Sequence, residues 1–125
     1  MGNTLMGNEI FWVLTCSVKP GKFDGLKKLV DRLVVETTSE SGSLSYVFSA
    51  NADQTEIKIF ERYRDSAAVM EHLTQTFPKH REQFLDCVEV TSRIVFGVPD
   101  TTARERLDSD ITVFMTPFAG FMAKD

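Results

Sequence analysis

The hydrophobic residues of this chain follow two different spacings, and the order of these spacings along residues 9–98 constrains the fold most strongly. Apolar residues recur at helical spacing over 23–37, with charged residues on the opposite face, and again over 69–77. Four other segments have the β-branched and aromatic composition of strands, namely residues 9–19, 43–50, 56–63 and 89–98. The predicted order of elements is therefore β-α-β-β-α-β.

This order predicts an α+β fold of the ferredoxin-like type, in which four antiparallel strands form one sheet and both helices lie on one face. The strands carry apolar side chains on both faces, but two helices can cover only one. We therefore expect the other sheet face to bind a ligand, a partner subunit or both. Gly42 is expected to end the first helix in a positive-φ conformation.

The C-terminal residues 99–125 are not required by this pattern, and we interpret them as an extension of a single domain whose core is 9–98. Residues 99–107 are predicted to be helical, and residues 111–118 alternate as a strand does. Because this strand is apolar, we expect it to pair at a sheet edge across a dimer. Pairing within one subunit and closure over a cavity are the alternatives.

Composition excludes several classes of protein. The chain has 125 residues, of which 42% are hydrophobic and 26% charged, a balance typical of a folded domain. Its net charge of −4 opposes contact with nucleic acid or an anionic membrane. The first eight residues lack the features of a signal peptide, and no apolar run approaches the ~20 residues of a membrane span. These features predict a cytoplasmic protein.

Cofactor motifs are not recognisable in the sequence. Cys16 and Cys87 share no ligand spacing and are interpreted as small buried residues without a disulfide. The two histidines have no close acidic partner in sequence, and there is no glycine-rich phosphate loop. We therefore expect neither a metal nor another cofactor.

Four short motifs occur in an order that resembles the antibiotic biosynthesis monooxygenase family over about residues 9–98. That family has a KPG turn, a Glu-x-Gly-x-x-x-Tyr step, a Glu-x-Trp-x-Asp strand end and a His-Leu pair on the second helix. In this chain the corresponding motifs are KPG at 19–21, ESGSLSY at 40–46, ERYRD at 61–65 and EHL at 71–73.

The resemblance implies a homodimer in which two ferredoxin-like sheets pack face to face as a dimeric α/β barrel around ligand cavities. Some members of the family oxidise polyketide or quinol-type substrates with O₂ and without metal or flavin, whereas others are isomerases, haem degraders or proteins of unknown role. Haem degradation is disfavoured, because the Asn and Trp that haem-degrading relatives use correspond to Leu14 and His72. Tyr63 stands where the family usually has Trp.

Oxidation without a cofactor needs a general base, a hydrogen-bond partner for the substrate oxyanion and a dry apolar pocket. His72 is predicted to be the base, at the flank of the apolar stripe of its helix, although it can equally be a helix-edge histidine that bonds a neighbour. Tyr46 is predicted to be the oxyanion partner; the alternative is a phenol bonded to a backbone carbonyl. The other histidine, His80, is expected at the surface.

Four further residues are expected to line the substrate pocket: Trp12, Leu14, Glu61 and Tyr63. For Trp12 the alternative is packing in the core or the dimer interface. For Glu61 it is a structural ion pair, because a carboxylate among apolar neighbours is costly unless it is paired.

The leading functional hypothesis is a cofactor-independent monooxygenase that oxidises a quinol-like or polycyclic aromatic small molecule with O₂. The alternatives are an isomerase or lyase of a small cyclic metabolite, and a non-enzymatic dimeric protein with a ligand-binding or stress-response role.

Overall fold

The computed structural model describes residues 7–122. Two elements separate α2 from α3: a π-helical turn, His72–Thr76, and a 3-10 turn, Phe77–Lys79. The strands and α-helices are, in chain order, β1 (Ile10–Val18), α1 (Phe23–Thr38), β2 (Ser43–Ala50), β3 (Glu56–Tyr63), α2 (Ser66–Glu71), α3 (Arg81–Cys87), β4 (Val88–Phe96), α4 (Thr101–Leu107) and β5 (Thr112–Met115).

The five strands form one sheet in the order β2-β3-β1-β4-β5. The first four pair antiparallel, which confirms the predicted ferredoxin-like α+β fold. The expected pairing of the last strand across a dimer is wrong, because β5 pairs parallel to β4 of its own chain. Helix α4 makes this possible, since a parallel neighbour needs a crossover connection and a helix usually supplies it.

The helices cover one face of the sheet and build the core there. Alternate residues of β1 point to this face and are buried, as the period of a strand requires. They meet the buried leucines of α1, Leu26, Leu29 and Leu33, so that the apolar stripe predicted from the sequence is the packed face of the helix. None of the helices within residues 7–122 is long and apolar enough to cross a membrane.

The opposite face of the sheet, which we call the open face, stays apolar. Phe11 stacks on Phe96 with ring centroids 4.9 Å apart, and these rings are only partly buried. Val47 at one side and Val113 at the other remain 52% exposed. Strand pairing places the following residues on this face: Phe11, Val13, Val47, Phe60, Ile94, Phe96, Val113 and Met115.

Gly42 serves a different purpose from the one predicted. Helix α1 already ends at Thr38, and Gly42 lies outside the positive-φ region. A Cβ atom added at Gly42 would lie 2.4 Å from the Cβ of Ala68 in α2. Glycine is therefore required here because the loop after α1 and helix α2 approach each other closely.

We expect Gly42→Ala to lower the free energy of unfolding by about 1–3 kcal/mol, because the new methyl group overlaps Ala68. Gly25→Ala is the matched control, since Gly25 lies in α1 with nothing within 4 Å of an added Cβ. That change should raise the free energy of unfolding by about 0.5–1 kcal/mol. Denaturant titration of both variants measures the contrast, and equal effects would contradict the close-approach explanation.

Cys16 and Cys87 are both buried and free, as the sequence predicted. Burial raises the pKa of the Cys16 thiol from its ordinary 9.0 to about 12, and the charge of Glu61 adds to the effect. Because the folded state holds this proton more tightly, its contribution to stability is complete below pH 9.0 and is lost as the pH rises toward 12. The thiol therefore stays protonated near neutral pH and is a poor nucleophile.

Between pH 9 and pH 10, we expect the free energy of unfolding to fall by about 1 kcal/mol as the unfolded Cys16 ionises. The window ends there because the pKa values of Tyr46 and Tyr63 are also raised above their ordinary 10.0 and add to the slope at higher pH. Cys16→Ala should flatten this slope. An unchanged slope in Cys16→Ala, measured by urea unfolding, would show that another group is responsible.

Candidate functional site

His72 lies at the first position of the π-helical turn and is almost completely buried, with 1% of its surface exposed. The expectation that it lies at the flank of its helix is therefore wrong. It follows Ala68 by four residues and Val69 by three, and both are buried, so all three share the inward face of α2. The apolar stripe predicted from the sequence is centred on larger residues. The predicted inward face of α2 is therefore displaced by about one residue from the observed one.

The imidazole of His72 lies between two buried carboxylates. Its Nδ1 is 3.2 and 3.3 Å from the two carboxylate oxygens of Glu40, and its Nε2 is 3.7 Å from Oε1 of Glu61. Because a carboxylate only accepts hydrogen bonds, Nδ1 carries a proton and donates a hydrogen bond to Glu40. The same Oε1 of Glu61 accepts a 2.7 Å hydrogen bond from the hydroxyl of Tyr63. The four side chains therefore form two hydrogen-bonded pairs, His72 with Glu40 and Tyr63 with Glu61, which lie next to each other.

Glu40 was not predicted as a site residue. It belongs to the loop between α1 and β2 and is 6% exposed, although its position after an amphipathic helix is typical of surface carboxylates. The only signal in the sequence was its place in the ESGSLSY motif. The free-energy cost of burying this carboxylate is offset by its contact with His72, because a buried carboxylate needs a partner.

Aromatic rings surround the imidazole. The ring of Tyr46 meets that of His72 edge-on at 5.2 Å, and the ring of Tyr63 lies 5.5 Å away. Trp12 stacks on Tyr63 at 4.9 Å. Burial, followed by the negative charge of Glu61, raises the pKa values of both Tyr46 and Tyr63 above the ordinary range. Both phenols are therefore neutral at physiological pH, and the hydroxyl of Tyr63 donates to Glu61.

Arg93 of β4 is a second residue that the sequence analysis missed. It pairs with Leu14 across the sheet, so its side chain lies on the covered face. Its Nη1 donates to the carbonyl of Leu107 at 3.1 Å, whereas its Nε is buried without a hydrogen-bond partner in the described part of the chain. Burial lowers the pKa of Arg93, and the charge of Glu61 opposes the shift. In the sequence, an arginine between Ser92 and Ile94 resembles an ordinary solvent-facing strand residue.

These groups line a small cavity between the sheet and the π-helical turn, with a volume of about 40 Å³. One water molecule occupies ~30 Å³ of liquid, whereas sites for drug-sized ligands have volumes of ~300–1,000 Å³. In this conformation the cavity is therefore filled mainly by the protein's own side chains. Five of the six predicted residues contribute to its wall, namely Trp12, Leu14, Tyr46, Glu61 and His72. Tyr63 instead lies behind Glu61, to which it is bonded.

His80 is also buried, so the expectation of a surface residue is wrong. The 3-10 turn brings the chain back to α1, where Nε2 of His80 lies 2.9 Å from a carboxylate oxygen of Glu36. Nζ of Lys79 lies 3.1 Å from the other oxygen. Hydrogen bonds from Lys79 and His80 lower the pKa of Glu36. This group is separate from the cavity and joins α1 to the turn before α3.

Within residues 7–122, no group of three or more histidine, cysteine or acidic side chains is arranged to hold a metal ion. The donor set around the cavity is instead that of an acid–base site: an imidazole, two carboxylates, two phenols and a guanidinium.

Comparison with known proteins identifies relatives of this chain. The protein Rv0793 of Mycobacterium tuberculosis is 37% identical over 54 residues, which are 43% of this chain and 54% of that protein, so the match spans about half of the relative. The crystal structure of Rv0793 superposes with a TM-score of 0.64 and 26% identity, covering 74% of this chain and 96% of that one.

Two further solved structures share the fold. MupZ from Pseudomonas fluorescens has a TM-score of 0.83 at 18% identity and covers 94% of this chain and 91% of its own. SnoaB from Streptomyces nogalater, a cofactor-independent oxygenase, has a TM-score of 0.65 at 15% identity and covers 76% of this chain and 97% of its own. The sequence model of the antibiotic biosynthesis monooxygenase family matches residues 10–90. This chain therefore belongs to the antibiotic biosynthesis monooxygenase family.

Proposed function

We propose that the protein is a cofactor-independent monooxygenase that oxidises a quinol-like or polycyclic aromatic small molecule with O₂. The observation that carries this proposal is the buried imidazole of His72, held by Glu40 on one nitrogen and facing Glu61 and the cavity with the other. Membership of the family and the shared fold of SnoaB support the same reaction class.

In the proposed mechanism, Nε2 of His72 takes a proton from a phenol or enol of the substrate. Glu40 fixes the ring through the Nδ1 proton and stabilises the positive charge that develops on the imidazole. The 3.7 Å distance between Nε2 and Oε1 of Glu61 is too long for a direct hydrogen bond, so Nε2 can accept the proton of a substrate hydroxyl that approaches from the cavity.

The negative charge that forms on the substrate oxygen needs hydrogen-bond donors. The neutral hydroxyl of Tyr46 is one, and the Nε–H of Arg93, which has no hydrogen-bond partner among residues 7–122, is a second. The stabilised anion then transfers one electron to O₂, and the substrate radical and superoxide combine to a peroxide. Loss of water from the peroxide leaves one oxygen atom in the product as a carbonyl, so the substrate supplies both electrons and no external reductant is needed.

A ring-sized substrate reaches His72 only if side chains that fill the cavity move. Phe77 is placed for this movement, because it is partly buried and its ring lies 6.2 Å from that of His72. It also stands where the π-helical turn gives way to the 3-10 turn that contains Pro78. We propose that Phe77 swings aside when substrate enters.

Each alternative function has one observation in its favour. The adjacent pairs His72–Glu40 and Tyr63–Glu61 offer two proton-transfer groups that need no O₂, which favours an isomerase or lyase of a small cyclic metabolite. The filled cavity of about 40 Å³ favours a non-enzymatic ligand-binding or stress-response protein.

Incubation with two-ring and three-ring hydroquinones under air and under nitrogen distinguishes these functions. We expect protein-dependent O₂ consumption, corrected for spontaneous oxidation, and His72→Asn should reduce it by about a hundredfold or more. Asparagine keeps a donor near the position of Nδ1 for Glu40 but lacks Nε2, so the fold should be retained.

His80→Gln is the matched control, because it keeps a donor for Glu36, does not line the cavity and should leave O₂ consumption unchanged. Turnover that is equal under nitrogen would support the isomerase or lyase instead. Binding without turnover under either gas would support the non-enzymatic protein.

We also propose that the protein is a homodimer whose two open faces pack against each other. The open face is the observation that supports this, because Phe11, Phe60 and Phe96 lie on it without cover from any element of the chain within residues 7–122. Burying such side chains stabilises a complex by ~1.5–3 kcal/mol each, before the cost of association.

Sedimentation at micromolar concentration should give about twice the chain mass of 14.1 kDa. Val13→Glu, at the centre of the open face, should produce a folded monomer, because two carboxylates would be buried at the interface. Val35→Glu is the matched control, since Val35 is 72% exposed on α1 and should leave the dimer intact. A wild-type monomer would refute the proposed interface.

A further inference from the structure

Helix α4 lies beyond residues 10–90, the region that the family model matches, yet it packs directly on α2. Ala103 and Leu107 of α4 are completely buried. Asp100 caps the helix by accepting a 2.9 Å hydrogen bond from the backbone N–H of Ala103. The helix is thus a fixed part of the fold that stands beside the segment carrying His72.

Three hydrogen bonds join α4 to the elements of the candidate site. The backbone N–H of Asp100 donates to Oγ of Ser66, the first residue of α2, at 2.9 Å. Nη2 of Arg106 donates to the carbonyl of Leu73, the residue after His72, at 3.1 Å. The carbonyl of Leu107 accepts from Nη1 of Arg93 at 3.1 Å.

The carbonyl of Leu73 needs a donor from outside its own helix. In an α-helix its partner would be the N–H of Phe77, but that group donates to the carbonyl of His72 in the π-helical turn. In a continued π-helix the partner would be residue 78, which is proline and has no N–H. The sequence thus leaves this carbonyl without a helical partner, and Arg106 supplies the missing donor.

We propose that α4 is a brace that sets the positions of both His72 and Arg93, and that Arg106 is a positioning residue that fixes the π-helical turn bearing His72. The inference rests on the proposed function only in taking these two side chains as the reacting groups. One short helix then controls the base through the Leu73 carbonyl and the oxyanion donor through the Leu107 carbonyl.

The side chains that face the imidazole come from other elements: Glu40 from the loop after α1, Tyr46 from β2, Glu61 and Tyr63 from β3, and Phe77 from the 3-10 turn. Arg106 bonds only to the backbone next to His72. A change in the imidazole that follows substitution of Arg106 is therefore transmitted through the π-helical turn.

The test uses nuclear magnetic resonance of the isotope-labelled full chain, in which only two histidines give imidazole signals. Arg106→Met should shift the ring-nitrogen signals of His72 and accelerate hydrogen exchange of the Phe77 amide about fivefold, while the His80 signals stay unchanged. Arg106→Lys should restore both values toward wild type, because lysine keeps the charge and a donor.

Arg104→Met is the matched control, since it removes the same charge from the same helix but not the bond to Leu73. Unchanged His72 signals and Phe77 exchange in a folded Arg106→Met variant would overturn the proposal. So would a uniform loss of protection that includes the His80 region, because Arg106 would then only stabilise the fold.

If Arg106→Met does not fold, Ser66→Ala tests the brace instead. This change removes only the hydroxyl at the start of α2 that accepts a hydrogen bond from the backbone of Asp100. It should shift the His72 signals in the same direction by a smaller amount, and unchanged signals would overturn the brace. These measurements need no substrate. A chain without oxygenase activity still gives the result, so failure of the brace and failure of the proposed function are distinguishable.

Discussion

The buried contact between His72 and Glu40 is the interaction on which the candidate site depends. A carboxylate and an imidazole in the core are costly to desolvate, and only their mutual hydrogen bonding makes their burial acceptable. The contact in turn requires that the loop after α1 approach α2 closely. Gly42, two residues after Glu40, and Ala68, four before His72, are the small residues that permit this distance. The close packing of these two backbone segments is therefore a condition for the contact between His72 and Glu40.

The charged groups around the cavity come from different elements of the fold. His72 and Glu61 form one side of it, and Arg93 approaches from β4 on the other. The rings of Trp12 and Tyr46 enclose this polar group in a low-dielectric setting, where charges act more strongly on one another than in water. Such a setting suits the substrate class that we propose, an uncharged aromatic compound that becomes an anion during reaction.

The sequence predicted the fold well, because strand and helix periodicity directly report which face is packed. It also selected five of the eleven residues that line the cavity, since family-like motifs carry Tyr46, Glu61 and His72. It missed Glu40 and Arg93, because charged residues are normally solvated and their burial depends on partners distant in sequence. The burial of His72 was underestimated for the same reason, because a polar residue is not expected at the centre of a packed helix face. Pairing of β5 in its own chain depended on α4 acting as a crossover, which local pattern does not reveal.

The parallel β5 strand also bears on how the molecule behaves in a crowded solution. An uncovered edge strand is a template for pairing with other chains, and the edge of β4 would be nine residues long without β5. β5 pairs with the last four of these nine residues, so the long edge becomes two shorter stretches, and Pro117, two positions beyond β5, has no N–H to offer. The extension that braces the interior thereby also shortens the surface on which strand-to-strand aggregation can begin.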